Sequence, residues 1–278
     1  MDKLHLQKIA LEIRKGALTA VYTAASGHPG GSLGIAELLA YLYFEEMHVD
    51  PKNPKDPDRD RFVLSKGHTS PALYAALAEK GFFPKEDLKT FRQKDSYLQG
   101  HPDMKHIPGV DMSTGSLGQG ISAACGMALS GKISEKKYRV WTILGDGECE
   151  EGQVWEAAMF AAHYGLNNLC AFVDFNGLQI DGAVTEVMNP TPLDTKFAAF
   201  GWNTLVIDGH DFDQIASAVE AAKRSAKPTA VIWKTTKGKG VSYMENVCAW
   251  HGSAPKTEQY EQGMRELEEA EKALLANV

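Results

Sequence analysis

The 278-residue sequence contains no apolar run long enough to cross a bilayer and no signal-peptide pattern, which argues against a membrane partner and makes a reducing cytoplasm the expected compartment. Its four cysteines, Cys125, Cys149, Cys170 and Cys248, are scattered without C-x-x-C spacing. Neither a zinc knuckle nor a redox pair is therefore expected, and Cys125 and Cys170, set in apolar runs, read as buried thiols. There is no excess of positive charge: 29 Lys and Arg stand against 36 Asp and Glu, for a net charge of −7, so nothing suggests nucleic-acid binding. No internal repeat or low-complexity segment appears. The nine histidines include no helical i, i+4 pair with a third ligand, which speaks against a zinc hydrolase.

What remains is ordinary for a globular protein: 44% hydrophobic and 23% charged residues, enough to bury a sizeable core. Residues 1–278 are expected to form one domain, with a charged helical tail from about residue 256, on the surface or against a partner. The pattern alternates from residue 61 to 235. Apolar runs at 61–65, 140–144, 169–173, 203–208 and 229–233 read as strands, separated by helices at 70–79, 121–129, 153–163, 194–200 and 213–223. Amphipathic helices are also expected at 4–25 and 35–44. The fold class is thus α/β, an open parallel sheet with helices on both faces. The proline-rich loop at 50–60 is internal rather than a linker, and the breakers in Ser26-Gly27-His28-Pro29-Gly30-Gly31-Ser32 exclude helix there.

Function is organised around Gly145-Asp146-Gly147. Taken alone it reads as a turn. However, it follows one apolar run, and a second apolar run ends at Asp174-Phe175-Asn176. In a parallel sheet both ends reach the same edge, so Asp146 and Asn176 can converge on a hard cation such as magnesium. Lys66-Gly67-His68 ends the first strand on that edge, where His68 is either a helix-capping residue or a ligand residue at a helix N-terminus. Ser113-Thr114-Gly115-Ser116-Leu117-Gly118-Gln119-Gly120 is a phosphate-binding turn or a tight packing turn; it lacks G-x-G-x-x-G spacing, so a nicotinamide nucleotide is not expected. Lys237-Gly238-Lys239-Gly240 is a basic glycine turn that could neighbour a phosphate, but for its lysines a solvated turn is the favoured reading.

These stretches, taken together, resemble the transketolase family. Ser-Gly-His-Pro-Gly at 26–30, Ser-Lys-Gly-His at 65–68, Gly-His-Pro at 100–102, Thr-Gly-Ser-Leu-Gly-Gln-Gly at 114–120, Gly-Asp-Gly at 145–147, Asn176 and His251-Gly252 occur in the transketolase order over nearly the whole chain. The resemblance implies a thiamine diphosphate-binding fold. It implies that Asp146, Asn176 and the Leu178 carbonyl hold magnesium, or calcium or manganese in its place. His68 and His251 would face the diphosphate, and Gly115, Leu117, Gly147 and Ile180 would line the cofactor. His28, His101 and His251 would serve the sugar's hydroxyls and protons, and Glu151, with Glu156, would join a network between two active sites. The implied reaction is transfer of a two-carbon ketol group from a ketose phosphate to an aldose phosphate. Phe175 departs from many relatives, which carry an acidic residue or asparagine before the metal asparagine, and Glu150 adds a negative charge near the site.

Single-chain transketolases continue into two further domains, the next of which carries the glutamate that activates the cofactor. The expectation is therefore a split enzyme. This chain would be its amino-terminal half, a carboxy-terminal transketolase subunit would complete the site, and the assembly would hold two copies of each. The sugar is open: sedoheptulose and xylulose phosphates are the default, and related split enzymes act on other ketose phosphates, including branched or sulfonated ones. A non-catalytic cofactor-binding module would need neither His28 nor His101. Deoxyxylulose phosphate synthases share the Gly-Asp-Gly motif, but the loops at 26–30 and 100–102 fit transketolase at least as well.

Overall fold

The computed structural model describes residues 1–276. Its strands are β1 (Arg61–Leu64), β2 (Val140–Gly145), β3 (Leu169–Phe175), β4 (Leu178–Gln179), β5 (Gly182–Ala183), β6 (Asn203–Asp208) and β7 (Thr229–Lys234). Its helices are α1 (Lys3–Thr23), α2 (Pro29–Leu33), α3 (Ala36–Tyr41), α4 (Ser70–Lys80), α5 (Gln119–Ile133), α6 (Gly152–His163), α7 (Val184–Val187), α8 (Leu193–Ala199), α9 (Phe212–Arg224) and α10 (Thr257–Ala276).

Successive strand residues point to opposite faces, and here both faces are apolar. Trp141, Ile143, Cys170, Phe172, Val231 and Trp233 enter one core; Val140, Leu144, Leu169, Ala171, Val173, Ala230 and Ile232 enter the other. Strands that are apolar on both faces must be covered twice, which favours a parallel sheet between helical layers. The first core is roofed by α1, α3, α4 and α9, the second by α5, α6 and α8. The five long strands are all parallel, in the order β1-β2-β3-β7-β6, with Gly145 beside Asp174 and Phe175 beside Lys234. That register brings four strand ends to one edge. Trp141, Phe172 and Trp233 are fully buried, each worth about 1.5–3 kcal/mol or more of apolar transfer, so the sheet's centre is its best-anchored part.

Among the described residues no helix is long and apolar enough to cross a membrane. The tail helix α10 lies on its own chain: Leu267 is buried with Leu18 and Leu33, and Tyr260 stacks on Tyr22 at 4.1 Å. Residues 277 and 278 of the expected tail helix lie outside the described residues.

Two local expectations are corrected. Residues 29–33 are helical despite their glycines, because Pro29 at the first helical position loses no intrahelical bond and the glycines admit close neighbours. A Cβ on Gly30 would lie 2.9 Å from the Trp250 carbonyl, and one on Gly31 2.8 Å from Thr69. The helix expected over 35–44 is instead α3 followed by a wider π turn at Leu42–Glu46, which ends at extended Met47.

Candidate active site

The shared sheet edge opens into a cleft of about 380 Å³. The chain leaving β1 delivers Lys66 and His68, β2 delivers Asp146 and Gly147, and β3 delivers Asn176 and Leu178. The turn after β7 delivers Lys237, α2 brings His28 at its N-cap, and the 3-10 turn Cys248–His251 brings His251. Gly115, Leu117 and Ile180 complete the lining. Ten of the residues singled out from sequence therefore meet in one cleft.

His101 and Glu151 do not line it. His101 sits at the rim with its ring against Gly115, and Glu151 lies exposed at the start of α6 against Gly118, with Glu156 exposed one turn on. The loops are pressed together where glycine is required: a Cβ on Gly67 would lie 2.6 Å from the Thr114 hydroxyl and 2.9 Å from the Gly115 nitrogen.

Buried charge dominates the floor. Asp146 accepts from the Gly147 N–H at 2.8 Å and the Gly177 N–H at 2.6 Å. Burial, and then the neighbouring Asp174 charge, push its carboxyl up to about 6. Asp174 is 1% exposed in its side chain and pairs with Lys66 at 3%, while the Thr235 hydroxyl donates to its other oxygen. Burial would raise the Asp174 carboxyl, but Lys66, with the Thr235 hydrogen bond and the Lys237 charge, outweighs it and holds the group below its ordinary value. Asn176 donates to Asp174 at 3.1 Å and accepts from the Leu178 N–H at 3.1 Å, which fixes its amide orientation. The acidic neighbour of Asn176 is thus Asp174, two residues back on the same face; Phe175 points the other way, into the second core.

Sequence reasoning missed Lys66, Asp174 and Glu148 as cleft residues, and misplaced Lys237. The expectation of a solvated turn at 237–240 is corrected for Lys237, which is 2% exposed and donates to the Leu178 carbonyl at 3.1 Å. It forms no ion pair among the described residues. The turn is carried inward because Gly238 N–H donates to the Gly30 carbonyl at 2.8 Å, a contact between segments far apart in sequence. For Lys66 and Asp174 a signal did exist: both are charged residues at the very ends of apolar strands. Glu148 ties three loops together, accepting from Ser65 and from the Gly118 and Gly145 N–H groups at 2.9 Å.

Three imidazoles form one wall. The ring centroids lie 5.1 Å apart for His28 and His68, 5.5 Å for His28 and His251, and 5.2 Å for His68 and His251. Burial is the main cause of their lowered pKa values, reinforced by neighbouring cations: His28 falls to about 4, His251 to about 3, and His68 well below its ordinary value, with Lys66 beside it. All three are therefore neutral at pH 7. Unfolded, each would bind a proton near pH 6.5, so the unfolded chain takes up protons that the folded chain refuses. Stability is thus expected to fall as the pH drops from about 6.5 towards 4. Denaturant unfolding at pH 7.5 and 5 checks this, and a His28→Asn, His251→Asn double variant should show a flatter dependence; an unchanged slope would count against the assignment.

The geometry suits a phosphorylated ligand with a hard cation. His28 Nδ1 and His251 Nδ1 are buried with no hydrogen-bond partner, and Lys237 is buried without a direct ion pair among the described residues, with the Asp174 and Asp146 charges nearby. A bound ligand or an ordered water is one way to complete buried polar groups left in this state. Asp146, Asn176 and Leu178 all line the cleft and offer oxygens of the kind hard cations take, the Leu178 carbonyl here accepting from Lys237; among the described residues no group of three or more His, Cys, Asp or Glu could hold a metal ion.

Residues 6–271 match the family described as transketolase, thiamine diphosphate binding domain. The chain belongs to the transketolase family. It is 50% identical over 268 residues to the 6-deoxy-6-sulfo-D-fructose transketolase subunit SqwG of Clostridium sp. (strain MSTE9), covering 96% of this chain and 98% of that one. It is 43% identical over 257 residues to an apulose-4-phosphate transketolase subunit of Phocaeicola vulgatus, covering 92% and 91%. Among solved structures, transketolase from Campylobacter jejuni superposes with a TM-score of 0.91 at 35% identity over 96% of this chain and 43% of that one. The sheet and its helical layers are the thiamine diphosphate-binding fold of transketolases, the relatives of matching length are named as subunits, and transketolase activity with a partner chain follows from that kinship.

Proposed function

We propose that this chain is the amino-terminal subunit of a two-chain transketolase that moves a two-carbon ketol group between sugar phosphates, with thiamine diphosphate and a divalent cation bound in the cleft. The observation that supports this reading is the meeting of a buried lysine without a direct ion pair, partnerless histidine nitrogens and the Asp146–Asn176–Leu178 oxygens at one sheet edge. Asp146, Asn176 and the Leu178 carbonyl would hold magnesium; Lys237, His68 and His251 would meet the diphosphate. The cofactor, when bound, supplies the nucleophilic carbon and the electron sink that cleavage of the ketose needs. The chain's own contribution is positional and protic. His28, neutral at pH 7, can accept or donate a hydrogen bond at a sugar hydroxyl, with His101 at the rim beside it. Leu117 and Ile180, 37% and 64% exposed at the cleft mouth, offer apolar surface to the ligand's ring or to the partner subunit.

The two relatives of matching length reported above bear the names of unusual ketose donors, so a sulfonated or branched sugar is the substrate class this reading favours over ordinary pentose phosphates. An assembly with two copies of each chain would bring Glu151 and Glu156 between paired sites.

The test is ketol transfer to ribose 5-phosphate from xylulose 5-phosphate, 6-deoxy-6-sulfo-fructose or apulose 4-phosphate, with thiamine diphosphate and magnesium. The chain is assayed alone and with the protein that co-purifies from its host. Turnover only with the second protein is the expected result. Turnover by the isolated chain would refute the two-chain reading, and silence with every donor in both preparations would refute the activity.

A further inference from the structure

Lys237 is buried without a direct ion pair among the described residues, and the contacts that fix the turn before it lie outside the cleft. Glu37, on α3, is 7% exposed and takes two contacts from the Arg14 guanidinium of α1, at 2.7 and 2.6 Å. Arg14 also donates from Nε to the Leu33 carbonyl of α2 at 3.0 Å. The third partner of Glu37 is His210, just past the end of β6, whose Nδ1 lies 3.1 Å from Glu37 Oε2. The other ring nitrogen, Nε2, receives the Thr236 backbone N–H at 2.9 Å. Thr236 immediately precedes Lys237.

This arrangement determines the tautomer. An imidazole nitrogen that accepts a backbone N–H carries no proton, so the ring hydrogen sits on Nδ1 and is donated to the Glu37 carboxylate. Glu37 thereby keeps His210 in its accepting form, and Arg14 keeps Glu37 charged: burial would raise its carboxyl, but the charge of Arg14 and the hydrogen bonds of both partners hold it below its ordinary value. On its far side the same turn meets α2, where Gly238 N–H donates to Gly30 O and a Cβ on Gly34 would lie 3.0 Å from Thr236 O.

We propose that His210, oriented by Glu37, is a positioning residue that fixes the Thr236–Lys237 turn and so aims the Lys237 ammonium into the cleft. The link to cofactor affinity rests on the function proposed above; the link to the turn does not. His210 touches neither the cleft lining nor any ligand the cleft would take.

Two variants separate positioning from packing. His210→Phe keeps an aromatic ring but cannot accept the Thr236 N–H, whereas His210→Gln offers a carbonyl acceptor and an amide donor in its place. Amide hydrogen exchange of the peptide spanning residues 235–240 is measured on the full chain, together with calorimetric titration by thiamine diphosphate at saturating magnesium. Loss of one buried acceptor predicts exchange about tenfold faster in His210→Phe and affinity about tenfold weaker, with His210→Gln within about threefold of the native chain on both. Native-like exchange in His210→Phe would overturn the proposal, as would equal damage in both variants, which is the signature of packing alone. If the native chain takes up no cofactor even with its partner subunit present, the function proposed above fails, while the exchange result still decides the role of His210.

Discussion

Asp146→Asn is expected to unfold at nearly the same temperature as the native chain without ligand, yet to lose the rise in that temperature produced by magnesium and thiamine diphosphate together. Two opposing effects set the first half of this result. The buried carboxyl is raised from 3.8 to about 6, so between those values the folded chain binds more protons than the unfolded one, and stability falls as the pH rises through that window. Above it the charge costs about 3 kcal/mol, which the amide removes. The amide, however, presents an NH2 where both carboxylate oxygens now accept backbone N–H groups, from Gly147 and Gly177. One of those donors loses its acceptor, at about 1–3 kcal/mol. The remainder amounts to a few degrees at most for a chain of this size. The second half is not balanced. Ligand at about 100 times its dissociation constant stabilises by about 2.7 kcal/mol, on the order of 5–10 °C, and that depends on a charged oxygen for the cation. Differential scanning fluorimetry with and without both ligands checks this; a variant that kept the full ligand-dependent rise would remove Asp146 from the metal set.

Lys66→Met is expected to be among the most damaging single changes. Lys66 and Asp174 are both buried, and deleting one partner of such a pair leaves an uncompensated charge, at about 3–5 kcal/mol. The pH dependence distinguishes this from simple loss of packing. In the native chain Asp174 is held below its ordinary value, so its contribution is present at neutral pH and lost as the pH falls through the folded value. Without Lys66, burial dominates and the carboxyl takes up a proton more readily than in the unfolded chain. The deficit of the variant should therefore shrink from pH 7.5 to pH 5. Adding Asp174→Asn should recover part of the loss, because it removes the stranded charge while keeping a side chain that Thr235 can donate to. Chemical denaturation of the three proteins at both pH values measures this; a loss below about 1 kcal/mol, or one independent of pH, would show that the pair is not what holds the two strand ends together.

The elements of the sheet were legible because their signal is local. Apolar runs at 140–144 and 169–173 and the periodic stretch at 213–223 state their own structure, and the glycine turns between them mark the edge where Asp146, Asn176 and His68 emerge. The motif order from Ser26 to Gly252 was equally legible, since a family resemblance is a property of the sequence. The helix at Pro29–Leu33 was not, because glycine's low propensity is overridden there by contacts with Trp250 and Thr69, which lie far away along the chain.

By itself, then, the sequence determined the alternation of strand and helix, the two-faced sheet, and which histidines and oxygens to look for at its edge. Only the tertiary structure decided which charges are buried. Lys237 and Lys239 look alike in the sequence, yet the Gly238–Gly30 contact turns the first inward and leaves the second at the surface beside Glu245. Asp174 and Asp146 stand at the ends of neighbouring strands, yet one is held below its ordinary pKa and the other raised above it, because the Lys66 ammonium pairs with Asp174 and not with Asp146. The ionisation of a buried group depends on what surrounds it in space, and those neighbours arrive from distant parts of the chain only when it folds.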